Sequence, residues 1–437
     1  MSTDKACSFL RELQEREYAA IGSQPPIYTK EAVLQKYDRQ TNALRPGGEF
    51  EQELRQSQLP SSVIEAMLKQ LRQAHEQTGR ASYELVAKSF DLRPTPYEEP
   101  SCFAILHRVN QSLSPVDVAH PEFKLAELMN RVVIGTLPTT QFNASAIAVP
   151  GTDQFLIVFD PVFLDFIDML SQAVAPALRL FDAKTNAEHE ARIKEFLNRE
   201  PFFLDRFKSV LIWFLLKGRS PLEARVDQQD EFLVERLRTE ATTFALAHEY
   251  GHILLKHLQQ PAVGAPNARG WLRVFGYQQE HSADMIGSTM LLAVMEAQKA
   301  PLSTCYLGAN FFLLATMFIE AAREVLLSGT PRPLLPPAEE VVGKGPWGLW
   351  HAQGNLDATH PRPFHRWAVL YGWMKQMYPP DVFIQIDRDA RYLFDAAEVL
   401  WELAAPVFLQ AHADGTQPVR EWRGYGLWED VPQKQLR

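Results

Sequence analysis

The pentapeptide HEYGH, residues 248 to 252, combines two histidines and a glutamate at a spacing that could do chemistry. It lies in an apolar-periodic run, TEATTFALAHEYGHILLKHLQQ, that has no proline before Pro261 and is therefore predicted to be helical. On a helix His248 and His252 are one turn apart on the same face, so two neutral imidazoles could bind one zinc ion. Glu249 would then lie beside the metal's open position, where a carboxylate can take a proton from water. The alternative is a pair of surface histidines on an ordinary helix.

A catalytic zinc site also needs a third protein ligand and one open position. The segment QEHSAD offers Glu280 and Asp284, one turn apart at the start of the next predicted helix. Glu280 is the candidate third ligand. Asp284 can accept the second ring proton of a ligating histidine and so fix its tautomer. His281 is a weaker rival as ligand, and an exposed acidic pair on a helix face is the simpler alternative.

The residues that follow HEYGH exclude one class of zinc peptidase. A metzincin would have its third histidine at position 258 and a glycine at position 255, but the chain has Leu258 and Leu255 there. His257 comes five residues after His252, and we expect it to point away from the site.

HEYGH followed by EHSAD resembles the pattern HExGH and then ExxxD of the gluzincin metallopeptidases, which include the CAAX prenyl endopeptidases and the HtpX-like heat-shock proteases. Two further segments are similar to blocks of that family and follow in the same order. NASAIAVPGTDQFLIVFD, residues 143 to 160, resembles the edge strand upstream of the active helix, and THPRPFHRW, residues 359 to 367, resembles an HP-x4-R segment. Together the four blocks cover a small part of the chain.

The resemblance implies a zinc endopeptidase with one bound ion and a set of named residue roles. Glu249 is the general base, and His360 and Arg366 support the oxyanion of the tetrahedral intermediate. The alternative for the last two is a helix start after prolines, with Arg366 in a surface salt bridge. The implied metal ligands are His248, His252 and Glu280.

The segment that resembles the edge strand is predicted to form a hairpin, because two apolar runs flank Pro150 and Gly151. FLIVF, residues 155 to 159, is apolar at every position, which is typical of a strand buried on both faces. NASAIAV, residues 143 to 149, has smaller side chains that suit a strand left open beside a cleft. An exposed sheet edge can hold an extended peptide by main-chain hydrogen bonds. We therefore assign substrate binding to Ala144, Ser145, Ala146, Ile147 and Ala148.

Composition limits the compartment and the partners. The chain of 437 residues has a net charge of −9, which argues against nucleic acid as a partner. The cysteines Cys7, Cys102 and Cys305 are too few and too scattered for a disulfide framework and suit a reducing compartment. The start, MSTDKACSFLRELQ, is charged where a signal peptide would be apolar. The charge-free stretch 300–319 is expected to be a buried core helix rather than a membrane span. We predict a cytoplasmic protein without membrane association.

The predicted fold class is α+β and mostly helical. It comprises a gluzincin-like zincin core over residues 120–375, with a small β-sheet and the HExxH helix, and an N-terminal helical region over residues 1–100. A C-terminal helical extension covers residues 376–437. The proline-rich segment 329–348 is a predicted loop, either a lid, an inhibitory segment or an ordinary surface loop.

The predicted function is zinc-dependent hydrolysis of peptide bonds in proteins or peptides. One alternative is a defence or toxin protease of the phage-exclusion type, which would cleave one host protein. Another is a non-enzymatic binding module with a zinc-stabilised fold. Glu249 counts against this last alternative, because a structural site is closed by a fourth protein ligand and has no use for a free carboxylate beside the metal.

Overall fold

The fold is mostly helical, with one small sheet in the part of the chain that the structure describes. The α+β, helix-rich class predicted from the sequence is therefore confirmed at this level. His360, Asn143 and most of the proline-rich segment 329–348 lie outside the described residues. The computed structural model describes residues 3–33, 80–138, 144–178, 186–218, 230–260, 275–301, 304–330, 333–335 and 362–418, and some residues between 35 and 72.

Several helices begin at a proline, which suits the first helical turn because its ring fixes φ and the missing N–H has no partner there. The helices are α1 (Asp4–Ala20), α2 (Arg80–Ser89), α3 (Pro100–Ser112), α4 (Val116–Ala119), α5 (Leu125–Met129), α6 (Pro161–Leu178), α7 (Asn186–Arg199), α8 (Pro201–Lys217), α9 (Glu231–Leu254), α10 (Tyr277–Ala297), α11 (Leu307–Ser328), α12 (Pro363–Met377) and α13 (Pro380–Ala413).

The sheet has three strands in the order β1, β3, β2. β1 (Val132–Thr136) runs parallel to β3 (Phe155–Phe159), and β2 (Ala144–Ala148) pairs antiparallel with β3. The turn between β2 and β3 contains Gly151 at φ +69°, a left-handed conformation that glycine adopts readily. The predicted hairpin is confirmed, with β3 in the sheet interior and β2 at its edge.

The two faces of the sheet pack against different parts of the chain. Leu156 and Val158 of β3 point to one face, where they pack with Leu10 and neighbouring apolar residues of α1. Ile157 and Phe159 point to the other face and join the main helical core. This alternation follows from the two-residue period of a strand, and it explains why FLIVF is apolar throughout.

The most apolar helices lie inside the protein. Among the described residues, α6 is the one helix long and apolar enough to cross a membrane, and most of it is buried. The stretch 300–319 falls largely in α11, whose residues are buried at nearly every position from Leu307 to Ala322. It packs as the core helix that we expected.

Candidate metal centre

Small residues let the two helices that carry the candidate ligands approach closely. A Cβ atom on Gly251 of α9 would lie 3.1 Å from backbone atoms of Ala283 in α10. A Cβ atom on Gly287 of α10 would lie 3.0 Å from the backbone nitrogen of His248. Such contacts leave no room for larger side chains, so the crossing of α9 and α10 is fixed at the level of HEYGH.

His248, His252 and Glu280 form one buried group of possible metal ligands, and their nearest donor atoms all lie within 4.8 Å of one another. The Nε2 atoms of the two histidines are 3.0 Å apart. Glu280 places its carboxylate oxygens 3.4 Å from Nε2 of His248 and 3.6 Å from Nε2 of His252. Zinc bonds of about 2.1 Å in tetrahedral geometry would separate the ligand atoms by about 3.4 Å. The donor atoms are therefore spaced as three ligands of one small cation would be.

Asp284 holds the other nitrogen of His248, as the sequence suggested. Its Oδ1 atom lies 2.9 Å from Nδ1 of His248. Burial disfavours the charged imidazole, but hydrogen bonds to Asp284 and Glu280 raise the pKa of His248 to about 9. The two carboxylates thus create a negative potential at this imidazole, and a bound cation would be favoured by the same potential.

Arg366 reaches the centre from α12 and is buried, but its guanidinium binds Asp284. Nε donates to Oδ2 at 2.8 Å, and Nη2 donates to Oδ1 at 2.5 Å. Burial alone would raise the pKa of Asp284, but Arg366 lowers that pKa well below its usual range. Asp284 lies on the Nδ1 side of His248, away from the converging Nε2 atoms. The Nη1 atom of Arg366 also lies 3.5 Å from Oε2 of Glu280. Arg366 therefore holds Asp284 and lies beside a candidate ligand, and the oxyanion role that the resemblance implied stays a prediction.

Replacing Arg366 with leucine should lower the free energy of unfolding of the metal-free protein by about 3–5 kcal/mol, because Asp284 would stay buried without its cationic partner. The matched control is Arg362→Leu, one turn earlier in the chain. The Arg362 side chain is partly exposed, and its nitrogens lie 3.6 Å from Glu320 and 3.8 Å from Glu324. That loss should cost about 0–1 kcal/mol. Urea unfolding of both variants measures the difference, and equal losses would contradict the role given to Arg366.

Glu249 points from α9 to the edge of the sheet. Its Oε2 atom accepts the backbone N–H of Ala146 in β2 at 2.7 Å. Burial raises the pKa of Glu249 to about 7, and the neighbouring Glu280 carboxylate acts in the same direction. A pKa near neutrality is what a general base requires, because it can then both accept and release a proton.

The predicted substrate edge lies beside Glu249. Val149 donates its backbone N–H to the carbonyl of Gln154. In an antiparallel pair every second residue bonds to the partner strand, so alternate residues of β2 bond to β3 and the residues between them turn their N–H groups away from the sheet. Ala146 is an outward residue, and its N–H is bonded to Glu249 rather than open. Ile147 is buried against α1, whereas Ala148 is exposed. Ala144 and Ser145 are half-buried.

His257 also contacts the centre, contrary to our expectation that it would point elsewhere. Its Nδ1 atom lies 2.9 Å from Nδ1 of His252. Five residues along a continued helix would turn His257 about 140° away from His252. However, α9 ends at Leu254, and the left-handed conformation of Lys256, with φ +56°, takes His257 off the helical path. No helical spacing signals this contact in the sequence.

Aromatic and histidine side chains near α10 complete the surroundings. The ring of Phe275 stacks on His252, with centroids 3.7 Å apart and planes 14° apart. Burial lowers the pKa of His281 to about 4, so this imidazole is neutral, and it is not a member of the ligand group. Tyr277 lies edge-on to His281 at 6.3 Å.

These contacts define a buried centre with three converging donor atoms, a carboxylate of raised pKa beside them, and a sheet edge next to that carboxylate. Comparisons of the chain with protein-family models, with curated proteins and with solved structures give no significant match. The functional inference therefore rests on the geometry of this centre.

Proposed function

We propose that the protein is a zinc-dependent endopeptidase of the zincin type, acting on proteins or peptides. The observation that carries the proposal is the convergence of two Nε2 atoms and the Glu280 carboxylate, with the buried Glu249 carboxylate close enough to interact electrostatically with His248 and Glu280. Two histidines and one glutamate form a donor set typical of catalytic zinc, which keeps one coordination position open. A single zinc ion fits this set in donor type and spacing.

Each side chain of the centre has a distinct task in hydrolysis. His248, His252 and Glu280 would hold the ion, which when bound supplies the Lewis acidity that activates water and polarises the scissile carbonyl. Glu249 takes the proton of the attacking water and then delivers it to the leaving amine. Asp284 keeps the tautomer of His248 fixed, and Arg366 keeps Asp284 charged.

The edge strand β2 supports the choice of a peptide as substrate. An extended peptide can add to a sheet edge by main-chain hydrogen bonds that do not depend on its side chains. The N–H of Ala146 donates a hydrogen bond to Glu249, so a peptide that pairs along β2 would pass next to this carboxylate. We propose that Ala144 and Ala148, which face outward like Ala146, extend this contact along the strand.

Two other functions share part of this geometry. A protease of the phage-exclusion type would use the same centre but cleave one host protein, and cleavage of a whole proteome would separate it from a general peptidase. A zinc-stabilised binding module needs a closed site. The ligand group among the described residues has three members, and the carboxylate beside it has a raised pKa, which favours catalysis.

The direct test combines metal analysis with hydrolysis. Purified protein should contain about one zinc ion per chain, as expected for a three-ligand site. It should cleave members of a peptide library, lose that cleavage on chelation and regain it on addition of zinc. Protein that binds no zinc, or that binds zinc and cleaves no peptide or protein of a proteome, would overturn the proposal.

A further inference from the structure

We propose that His257 is a positioning residue of the metal centre. In this role its Nδ1 atom accepts a hydrogen bond from the Nδ1–H of His252 and thereby commits the Nε2 atom of His252 to the metal. The inference rests on the proposed function, and it assigns a task to a residue outside the HExxH motif and outside the acidic pair on α10.

The distances determine which ring atoms carry protons. The Nδ1 atoms of His252 and His257 are 2.9 Å apart, so one must donate and the other accept. Nε2 of His252 faces Nε2 of His248 at 3.0 Å, inside the ligand group. A ligand nitrogen carries no proton, so the proton of His252 belongs on Nδ1. His257 must then accept at Nδ1 and hold its own proton on Nε2, which lies 3.5 Å from Oγ of Ser282.

A left-handed turn at the end of α9 brings His257 to this place. Lys256, the residue immediately before it, has φ +56°, a left-handed conformation that residues with a side chain rarely adopt. A short 3-10 helix follows, His257–Gln259, and His257 is buried within it. A left-handed residue just after the C-cap is a common way for a chain to leave a helix, and Lys299 has the same conformation after α10. Here the turn directs an imidazole back onto the helix that the chain has just left.

The two histidine ligands would thus be held by different chemistry. His248 is held by a carboxylate, Asp284, which is paired with Arg366. His252 is held by a neutral imidazole. The pocket already buries the carboxylates of Glu249 and Glu280, and a further negative charge there would be costly to desolvate. His257 fixes the second ring without adding charge.

The main experiment compares two substitutions of His257 by their zinc affinity, measured in competition with a chelating dye. His257→Leu fills the space without an acceptor and should weaken zinc binding by about 10- to 100-fold, as loss of a partner to a ligating histidine typically does. His257→Asn places Oδ1 near the former Nδ1 position and should retain affinity close to that of the wild type. The Co²⁺ absorption spectrum, which reports ligand geometry, should change for His257→Leu and not for His257→Asn.

The control is His107→Leu, the same substitution on α3, where the His107 ring contacts Gln111 and Phe103 of its own helix. It should bind zinc like the wild type. Unchanged affinity in His257→Leu, or equal losses in both His257 variants, would overturn the role of His257 and leave the proposed function intact. Wild-type protein that binds no zinc would overturn both.

A measurement on the wild type tests the hydrogen bond between His252 and His257 even if the variants do not fold. Protein labelled with ¹⁵N in its histidine rings should show, in its zinc-loaded form, a coupling across the hydrogen bond between Nδ1 of His252 and Nδ1 of His257. It should also show His252 protonated at Nδ1. A His252 ring protonated at Nε2 would contradict the inference.

Discussion

Replacing Glu249 with glutamine should leave zinc bound and lower peptide hydrolysis by about 10²-fold or more. Glutamine keeps the size of the side chain, and its Oε1 atom can still accept the N–H of Ala146. It cannot take a proton from water at neutral pH, so only the chemical step should suffer. Zinc content by elemental analysis and kcat/KM on a cleaved peptide measure the two effects separately.

The matched control for this experiment is Glu231→Gln at the start of the same helix. Glu231 is the first residue of α9, far along the helix from HEYGH, and its side chain is half-buried. Its replacement should leave both zinc content and hydrolysis near the wild-type values. Hydrolysis by Glu249→Gln at the wild-type rate would exclude the mechanism, whatever the metal content.

Replacing Glu280 with alanine should remove most of the bound zinc, because one of three protein ligands is lost. The neighbouring substitution His281→Ala is the control. His281 is equally buried but lies outside the ligand group, so that variant should keep its zinc. Elemental analysis after dialysis against a weak chelator distinguishes the two. Near-stoichiometric zinc in Glu280→Ala would contradict the assignment of the third ligand.

The sequence was most informative where local spacing determines geometry. His248 and His252 are one helical turn apart, and so are Glu280 and Asp284, so the face on which each pair lies follows from the 3.6-residue period. The hairpin was equally accessible, because FLIVF is apolar throughout and Pro150 and Gly151 interrupt the segment before it. These features depend on residues close together in the chain.

Contacts between distant elements could not be obtained in the same way. Arg366 donates hydrogen bonds to Asp284, which comes 82 residues earlier in the chain. Glu249 accepts a hydrogen bond from the N–H of Ala146, and 103 positions separate these two residues in the sequence. The contact of His257 with His252 depends on a left-handed Lys256, which no propensity predicts. His360 lies outside the described residues, so its role at the oxyanion stays a prediction.

The packing of α1 on the sheet determines how small a working fragment can be. Leu10 and its neighbours on α1 cover one face of the strands whose edge contacts Glu249, the proposed base. A truncated chain that starts at residue 120 would leave that apolar face in water, where it favours aggregation. Recombinant fragments designed to retain the centre should therefore include residues 4–20, and limited proteolysis that removes α1 should reduce solubility before it reaches any ligand.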